Sequence, residues 1–253
     1  MESIKNNVIS CPTILTGMSH EMRTHMNAIV AFSFLMKENS CNNSEREEFS
    51  NQIFSSCEQL MELFDSFLDS AKIDSGNSNA ELKICRLDNM LDDLLSEFKQ
   101  ILSKEGPTGL ELIIDIRFSN SAEVLIDKNR IFRVIRSLFL NSIRNTKSGY
   151  IKIGFFFNDD ILTFYVLDSG HGYNKCKEFL NSEDMNESLV QHNDTCAAIN
   201  IDLAKKLVRI LGGTIWIERN DMAGAGIYFS VPAKMIAGSG YSIIKHVYSM
   251  IAI

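Results

Sequence analysis

The feature that most constrains the fold of this chain is a run of apolar side chains near the N terminus, spaced alternately three and four residues apart. Its members are Leu15, Met18, Met22, Ile29, Phe32 and Met36. This alternation predicts a helix over about residues 14–37 with one continuous apolar seam, as in a coiled coil or a helical bundle. His25 is the one polar residue at a seam position. The chain must therefore bury a long helical stripe against other helices.

A second helical pattern covers residues 44–75. Ser44 and Glu47 form a capping-box signature at its start, and Ser75-Gly76 marks its end. Its apolar positions include Phe49, Ile53, Leu60, Phe64, Phe67 and Ala71. The two helices predict an antiparallel hairpin, and because one hairpin buries its seam poorly alone, two copies are expected to form a four-helix bundle. The sequence therefore predicts a homodimer held together by a dimerisation domain at residues 12–75.

Residues 80–233 have the pattern of a separate α+β domain. It follows a Gly, Asn and Ser cluster at residues 76–79, which is typical of a linker. Predicted helices are one capped by Asp88 and ending at Gly106-Pro107, one over 128–145 and one over 200–211. Predicted strands cover 110–116, 124–126, 150–157, 161–167, 214–219 and 226–231. Helices segregated from largely antiparallel strands indicate a two-layer α/β sandwich.

Composition narrows the function classes. The chain has 25 Lys and Arg against 32 Asp and Glu, a formal net charge of -7, which argues against a nucleic-acid partner because sequence-independent binding needs a positive field. Six scattered cysteines indicate reduced thiols rather than a zinc site or a disulfide framework. The N-terminal segment, residues 1–11, has no apolar run long enough for a membrane helix, and within the apolar C-terminal tail, residues 234–253, the apolar run Tyr241–Ile253 is too short to span a bilayer and is interrupted by Lys245 and His246. We expect a cytoplasmic protein without an integral membrane segment.

The first candidate site lies on the helix of residues 14–37. His20 is two residues past the seam residue Met18 and is expected to face water. Glu21 beside it can hold a proton, and Thr24 lies one turn further on the same face. An exposed His-Glu pair alone is more often a solvated surface with no role. The surrounding residues, Ser-His-Glu-Met-Arg-Thr followed after His25 by Met-Asn-Ala-Ile, resemble the phosphoacceptor box of bacterial two-component sensor histidine kinases.

Where this sequence has His25, that family has a proline. Because proline removes a backbone donor, the helix here is expected to be straighter than the helix of the family.

A second constellation lies in the α+β domain. Asp168-Ser169-Gly170-His171-Gly172 follows a predicted strand, and Ser137, Asn141 and Arg144 recur along the helix before it. On its own, this pattern is weak evidence for a binding site, because it occurs in ordinary turns. In combination these residues resemble the N box and first glycine box of the Bergerat-fold ATP-binding domain of histidine kinases. The resemblance implies that Asp168 accepts a hydrogen bond from adenine, that Asn141 holds Mg²⁺ and that Arg144 approaches the phosphates of ATP.

Four further features bear on this resemblance. Ser137 stands where the family has a second Asn. The residues Asp127-x-x-Arg130, at the start of the same helix, match the family pattern. The second glycine box falls on Cys196-Ala197-Ala198-Ile199-Asn200-Ile201, which contains no glycine. Left-handed backbone at non-glycine residues costs on the order of 1–2 kcal/mol each, so a damaged phosphate cradle is expected. The third glycine box survives only approximately as Gly224-Ala225-Gly226.

The resemblance implies ATP-dependent autophosphorylation of His20 and phosphotransfer to an aspartate of a response regulator, with the input signal supplied by a separate sensor. One alternative is a pseudokinase that acts as a dimeric scaffold or as a response-regulator phosphatase, and the missing glycines favour it. The phosphatase version depends on Thr24, whose hydroxyl would orient a water molecule. A third reading is a soluble α+β protein without chemistry.

Overall fold

The computed structural model describes residues 10–37, 41–74, 80–105, 107, 109–116, 123–181, 195–219, 224–237 and 246–251. The chain divides into two compact units, Met1–Lys72 with Ser182–Ile199 and Ile73–Asn181 with Asn200–Ile253. The first is dominated by two long helices, and the second contains helices and all the strands of the described residues. Each unit is described by itself below.

The helical unit contains α1, Ser10–Leu35, and α2, Asn43–Asp74. The rings of Phe32, near the end of α1, and Phe49, near the start of α2, stack with their centroids 5.8 Å apart. Met18 and Leu63 are both buried and lie the same number of residues from that aromatic pair on their respective helices. This correspondence indicates that the two helices form an antiparallel hairpin, as the sequence predicts.

The residues that start α2 differ from the predicted ones. The capping box is formed by Asn42 and Glu45: the Glu45 N–H donates to Asn42 Oδ1 and the Asn42 N–H donates to Glu45 Oε2, both at 2.9 Å. The predicted cap residue Ser44 already lies inside the helix. Asn is as good a cap as Ser, and the reciprocal bonds satisfy two backbone donors that the helix leaves free.

An apolar stripe remains exposed along this hairpin. On α1 it comprises Met26, Val30 and Phe34, spaced four residues apart and 53%, 66% and 66% exposed. On α2 it comprises Phe54, Met61, Phe64 and Leu68. We call these seven residues the apolar stripe. On α1 the seam residues Met22, Ile29 and Phe32 are half-buried, so the most exposed apolar surface of this helix lies beside the predicted seam rather than on it. On α2 the stripe includes Phe64, one of the predicted apolar positions.

The second unit contains the remaining elements. Its helices are α3, Leu87–Glu105; α4, Lys128–Asn145; α5, Tyr173–Asn181; and α6, Thr195–Ile210, whose first residues belong to the other unit. Its strands are β1, Lys83–Arg86; β2, Leu110–Ile116; β3, Glu123–Ile126; β4, Gly149–Asn158; β5, Ile161–Asp168; β6, Thr214–Arg219; β7, Ala225–Pro232; β8, Lys234–Ala237; and β9, His246–Ile251.

Six of these strands form the main sheet, in the order β6-β7-β5-β4-β2-β9, and β1-β3-β8 form a small second sheet. The pairs within the main sheet are antiparallel except β2 with β4. Strands β4 and β5 are joined by Asp159 and Asp160, both with positive φ, as a tight hairpin turn requires. This hairpin falls where the sequence predicts it.

One face of the main sheet carries the apolar core. Phe155, Phe164 and Phe229 lie on neighbouring strands, with ring centroids 5.6 Å and 5.0 Å apart along the row. On the helical layer, Phe98 of α3 stacks on Phe139 of α4 at 4.0 Å. All five rings are almost fully buried. The unit is therefore the predicted two-layer α/β sandwich, and its core fixes α4 and β5, the two elements that carry the candidate site.

Three local expectations are corrected. Asp88 does not cap α3, which begins at Leu87; Asp88 instead forms a two-bond ion pair with Arg86. Helix α6 begins at Thr195 rather than near Asn200. Within the predicted C-terminal tail, β8 pairs with β3 and β9 pairs with β2, so these residues extend both sheets. The predicted linker at residues 76–79 lies outside the described residues.

Candidate phosphoacceptor and nucleotide sites

The helical unit presents His20 on the exposed side of α1. His20 and Thr24 are exposed, whereas Met18 on the other side of the helix is 5% exposed. Thr24 Oγ1 donates to the backbone oxygen of His20 at 3.0 Å, which fixes the hydroxyl one turn along from the imidazole. Glu21 is half-buried. The three predicted residues therefore lie within two turns of helix, with an imidazole that a partner can reach.

In the second unit, Asp168 ends β5 and is 2% exposed. Its Oδ1 accepts hydrogen bonds from the N–H groups of Gly170 at 2.9 Å and Ala225 at 3.3 Å. Its Oδ2 accepts from Ser142 Oγ at 3.3 Å. A carboxylate oxygen can accept more than one bond, so this side chain keeps capacity for a further donor.

Burial raises the pKa of Asp168 above its ordinary value, while the hydrogen bonds from Ala225, Gly170 and Ser142 act to lower it. Burial prevails because the low dielectric of the interior disfavours the charged form. A buried carboxyl with a raised pKa is typical of a functional site rather than of a passive turn residue.

Two glycines allow the backbone to close around Asp168. A Cβ atom on Gly170 would lie 2.2 Å from the backbone oxygen of Asn145, and one on Gly224 would lie 1.7 Å from the backbone oxygen of Asp168. Neither backbone oxygen can move aside, so only glycine fits at either position. Gly172 is also buried and lies against the Asn145 side chain. The first glycine box therefore packs tightly against Asn145, and Gly224 packs against the backbone of Asp168.

Helix α4 supplies the other predicted residues. Ser137 and Asn141 are buried, whereas Arg144 is exposed at the end of the helix. Asp127 caps α4, because its side chain accepts from the Arg130 N–H. Burial acts to raise the pKa of Asp127, but the Arg130 and Glu81 N–H groups and the Arg130 guanidinium hold that pKa below its ordinary value.

Asn141 has contacts that sequence reasoning missed. Its Nδ2 donates to Cys176 Sγ on α5 at 3.2 Å, and its Oδ1 accepts from Asn145 Nδ2 at 3.3 Å. Asn145 lies one turn after Asn141 on the same helix face, so the sequence spacing could have predicted this contact. Cys176 is 35 residues away in sequence, so only the fold brings it there.

The predicted second glycine box is helical. Residues 196–201 lie in α6, and Ala197, Ala198, Ile199 and Asn200 are buried. Among the described residues, the only non-glycine residues with positive φ are Asp159 and Asp160. The expectation of strained, left-handed backbone at residues 196–201 is therefore wrong, because the chain replaces that loop with regular helix.

The residues present fit a bound nucleotide. Asp168 offers a buried acceptor for an amino group, and beside Gly170 the fully buried hydroxyl of Thr146 has no hydrogen-bond partner among the described residues. No group of three or more His, Cys, Asp or Glu side chains in the described chain could hold a metal ion. Mg²⁺ at nucleotide sites is bound by one or two protein oxygens together with phosphates and water, and Asn141 Oδ1 suits that role.

The chain thus combines a helical hairpin that exposes a histidine with an α/β sandwich that buries a carboxyl beside glycines. Residues 13–76 match the family His Kinase A (phospho-acceptor) domain. The autoinducer 2 sensor kinase/phosphatase LuxQ of Vibrio parahaemolyticus is 26% identical over 235 residues, which cover 87% of this chain and 26% of that protein.

Two solved structures share the fold. Histidine kinase ThkA in complex with response regulator protein TrrA has a TM-score of 0.61 at 20% identity, over 85% of this chain and 59% of that chain. Full-length ShkA in complex with AMPPNP has a TM-score of 0.58 at 17% identity, over 89% of this chain and 46% of that chain.

The chain is therefore similar to a sensor kinase over most of its length, and it shares the fold of solved histidine kinases. It spans about a quarter of the length of the LuxQ relative. No helix of the described residues is long and apolar enough to cross a membrane.

Proposed function

We propose that this chain is a two-component histidine kinase that autophosphorylates His20 from ATP and passes the phosphoryl group to an aspartate of a response regulator. The observation that carries this proposal is the pair of sites in one chain, an exposed His20 on the phosphoacceptor hairpin and a buried Asp168 enclosed by Gly170 and Gly224. The solved ShkA structure with AMPPNP and the ThkA–TrrA complex support nucleotide and response-regulator partners for this fold.

The proposed chemistry assigns a step to each residue. A ring nitrogen of His20 attacks the γ-phosphorus of ATP, a new N–P bond forms, and the bond to the leaving ADP oxygen breaks. Glu21 takes the proton that the imidazole releases. Asp168 binds the adenine amino group, and Arg144 approaches the phosphates. Asn141 would hold Mg²⁺, and the bound ion would neutralise charge on the phosphates. ATP as donor and the reduced cysteines expected from the sequence support a cytoplasmic location for this reaction.

The test is autophosphorylation with γ-labelled Mg-ATP. Wild type should acquire label on histidine, which acid releases, and His20→Gln should remove it. His25→Gln is the matched control, since His25 is on the same helix and should leave labelling intact. Labelling that persists in His20→Gln, or a wild type that never acquires label, would contradict the proposal.

A second activity, removal of phosphate from the response regulator, is favoured by one contact. Thr24 Oγ1 donates its proton to the His20 backbone oxygen at 3.0 Å, so its lone pairs point outward and can accept from a water molecule. A hydroxyl fixed in this way can orient water in line with an aspartyl phosphate on the partner. The LuxQ relative is named a sensor kinase/phosphatase, which supports the pairing of both activities on one helix.

This activity is tested without ATP, by mixing the protein with a phosphorylated response regulator and measuring phosphate release. Thr24→Ala should slow release about 10-fold or more, because it removes the group that positions the water. Thr24→Ser keeps the hydroxyl and is expected to retain most of the rate. Equal release by wild type and Thr24→Ala would exclude the phosphatase role for this residue.

A further inference from the structure

Asn145 has a fixed side-chain orientation. Its side-chain amide lies 2.8 Å from the backbone oxygen of Asn141, one turn earlier on α4. A backbone oxygen can only accept, so the atom of Asn145 that faces it must be Nδ2. This contact alone decides which way round the Asn145 amide lies.

The orientation of Asn145 then decides the orientation of Asn141. Asn145 Nδ2 lies 3.3 Å from one end of the Asn141 side-chain amide, and because Nδ2 is a donor, that end must be Oδ1. The other end, Nδ2 of Asn141, faces Cys176 Sγ at 3.2 Å, and sulfur is a weak but competent acceptor.

A flipped Asn141 amide is disfavoured in this position. Flipping would place the Asn141 and Asn145 amino groups against each other, where neither can accept from the other. Asn141 is 1% exposed and Cys176 is 2% exposed, so bulk water cannot compensate. Because a buried donor without an acceptor is unfavourable, the amide keeps predominantly the orientation that the structure shows.

We propose that Asn145 and Cys176 are positioning residues that fix the Asn141 side chain with its oxygen available to Mg²⁺ and its nitrogen turned away. This inference rests on the proposed ATP-dependent function. Mg²⁺ binds oxygen and not an amide N–H, so a rotated Asn141 is not a ligand. Residues that orient a metal ligand through a hydrogen bond typically change metal affinity about 10–100-fold when they are removed.

The test measures the ATP affinity of the whole chain by calorimetry, once in excess MgCl₂ and once in EDTA. The magnesium ratio is the affinity in MgCl₂ divided by the affinity in EDTA. Cys176→Ala should lower this ratio on the order of 10-fold while affinity in EDTA stays within about 2-fold of wild type. Asn145→Ala should lower it in the same direction. Cys176→Ser provides an acceptor oxygen at the same position and should restore most of the ratio.

Cys85→Ala is the matched control, because Cys85 is also a buried thiol of the same unit and should leave the ratio unchanged. A readout that needs no nucleotide is the side-chain amide resonance of Asn141 in the ¹⁵N-labelled protein. It should shift in Cys176→Ala and Asn145→Ala and stay in place in Cys85→Ala.

Three results would overturn the proposal. One is an unchanged magnesium ratio in both Cys176→Ala and Asn145→Ala, and a second is an equal loss of affinity in MgCl₂ and EDTA, which indicates packing alone. The third is a wild type without any magnesium-dependent gain, which also defeats the proposed kinase function. The first two leave nucleotide binding by wild type intact, so the two failures are distinguishable.

Discussion

At the scale of single residues, the proposed adenine-binding role of Asp168 is combined with a cost to the stability of the fold. Replacing it with Asn keeps an oxygen that can accept from Gly170 and Ala225, and the new amino group can donate to Ser142 Oγ. The variant loses the charged acceptor for adenine, and hydrogen bonds to charged groups contribute about 1.5–3 kcal/mol. We expect Asp168→Asn to weaken ATP binding about 10–100-fold in calorimetry.

The same substitution should weaken ATP binding but raise the stability of the fold. Because burial raises the pKa of Asp168 in the folded chain, the folded state holds a proton that the unfolded state releases between the two pKa values. The free energy of unfolding contributed by this group therefore falls as pH rises through that window. Asp168→Asn, which does not titrate, should unfold at a higher temperature than wild type above the window, and the gain should vanish below it. A variant that is less stable than wild type at neutral pH would contradict this.

Sequence patterns singled out candidate site residues but not the groups that hold them in place. His20, Asn141 and Asp168 belong to short motifs, and the structure places Asn141 and Asp168 in the interior. Ala225, whose N–H donates to Asp168, is 57 residues away in sequence. Such partners cannot be predicted from the local sequence, because every residue except proline has the same backbone donor.

At the scale of elements, the predicted and observed ends of helices differ where several residues could serve as caps. In α2 the sequence Asn42-Asn43-Ser44 offers three good caps in succession, and the reciprocal bonds with Glu45 select Asn42. Asn42→Ala should lower the free energy of unfolding by about 1 kcal/mol, because it leaves the Glu45 N–H without its acceptor. The measurement is denaturant unfolding monitored by circular dichroism.

Ser44→Ala is the control for that experiment. Ser44 lies inside α2, where alanine has the higher helix propensity, so this change should be neutral or slightly stabilising. If Ser44→Ala destabilises the chain as much as Asn42→Ala, the capping box is not the one that the structure shows.

Helix α6 shows that the absence of a glycine motif does not by itself produce strained backbone at the same residues. The family pattern places a glycine loop at residues 196–201, but Ala197, Ala198, Ile199 and Ile201 have apolar side chains that continue the helix into buried positions. Periodicity over residues 200–211 predicted only the second part of this helix. Restoring glycines at 196, 198 and 200 would therefore weaken α6 by about 1 kcal/mol per site rather than repair a phosphate loop.

At the scale of the whole molecule, the division into a helical unit and an α/β sandwich was predictable, because the apolar period changes from a helical one to an alternating one along the chain. The two C-terminal strands were not predictable in the same way. Strand β9 pairs with β2, which lies more than 100 residues earlier in the sequence. Short apolar segments do not distinguish a strand from a helix until a partner is known.

The last prediction concerns the apolar stripe. Seven large apolar side chains lie exposed along one hairpin, and such a contiguous surface marks an interaction site in a soluble protein. We propose that a second copy of the chain covers it, since two hairpins complete a four-helix bundle. Val30 is 66% exposed and lies in the middle of the stripe on α1, so Val30→Asp should dissociate the dimer by placing an unpaired charge in the interface.

Analytical ultracentrifugation at micromolar concentration tests this, with wild type expected as a dimer and Val30→Asp as a folded monomer. Ala31→Asp is the matched control: Ala31 is also exposed, but it faces the side of α1 that carries His20 and Thr24, and the dimer should persist. Ile29→Asp is a poorer choice, because Ile29 is half-buried and its loss would damage the hairpin itself. A wild type that sediments as a folded monomer would contradict the proposed dimer.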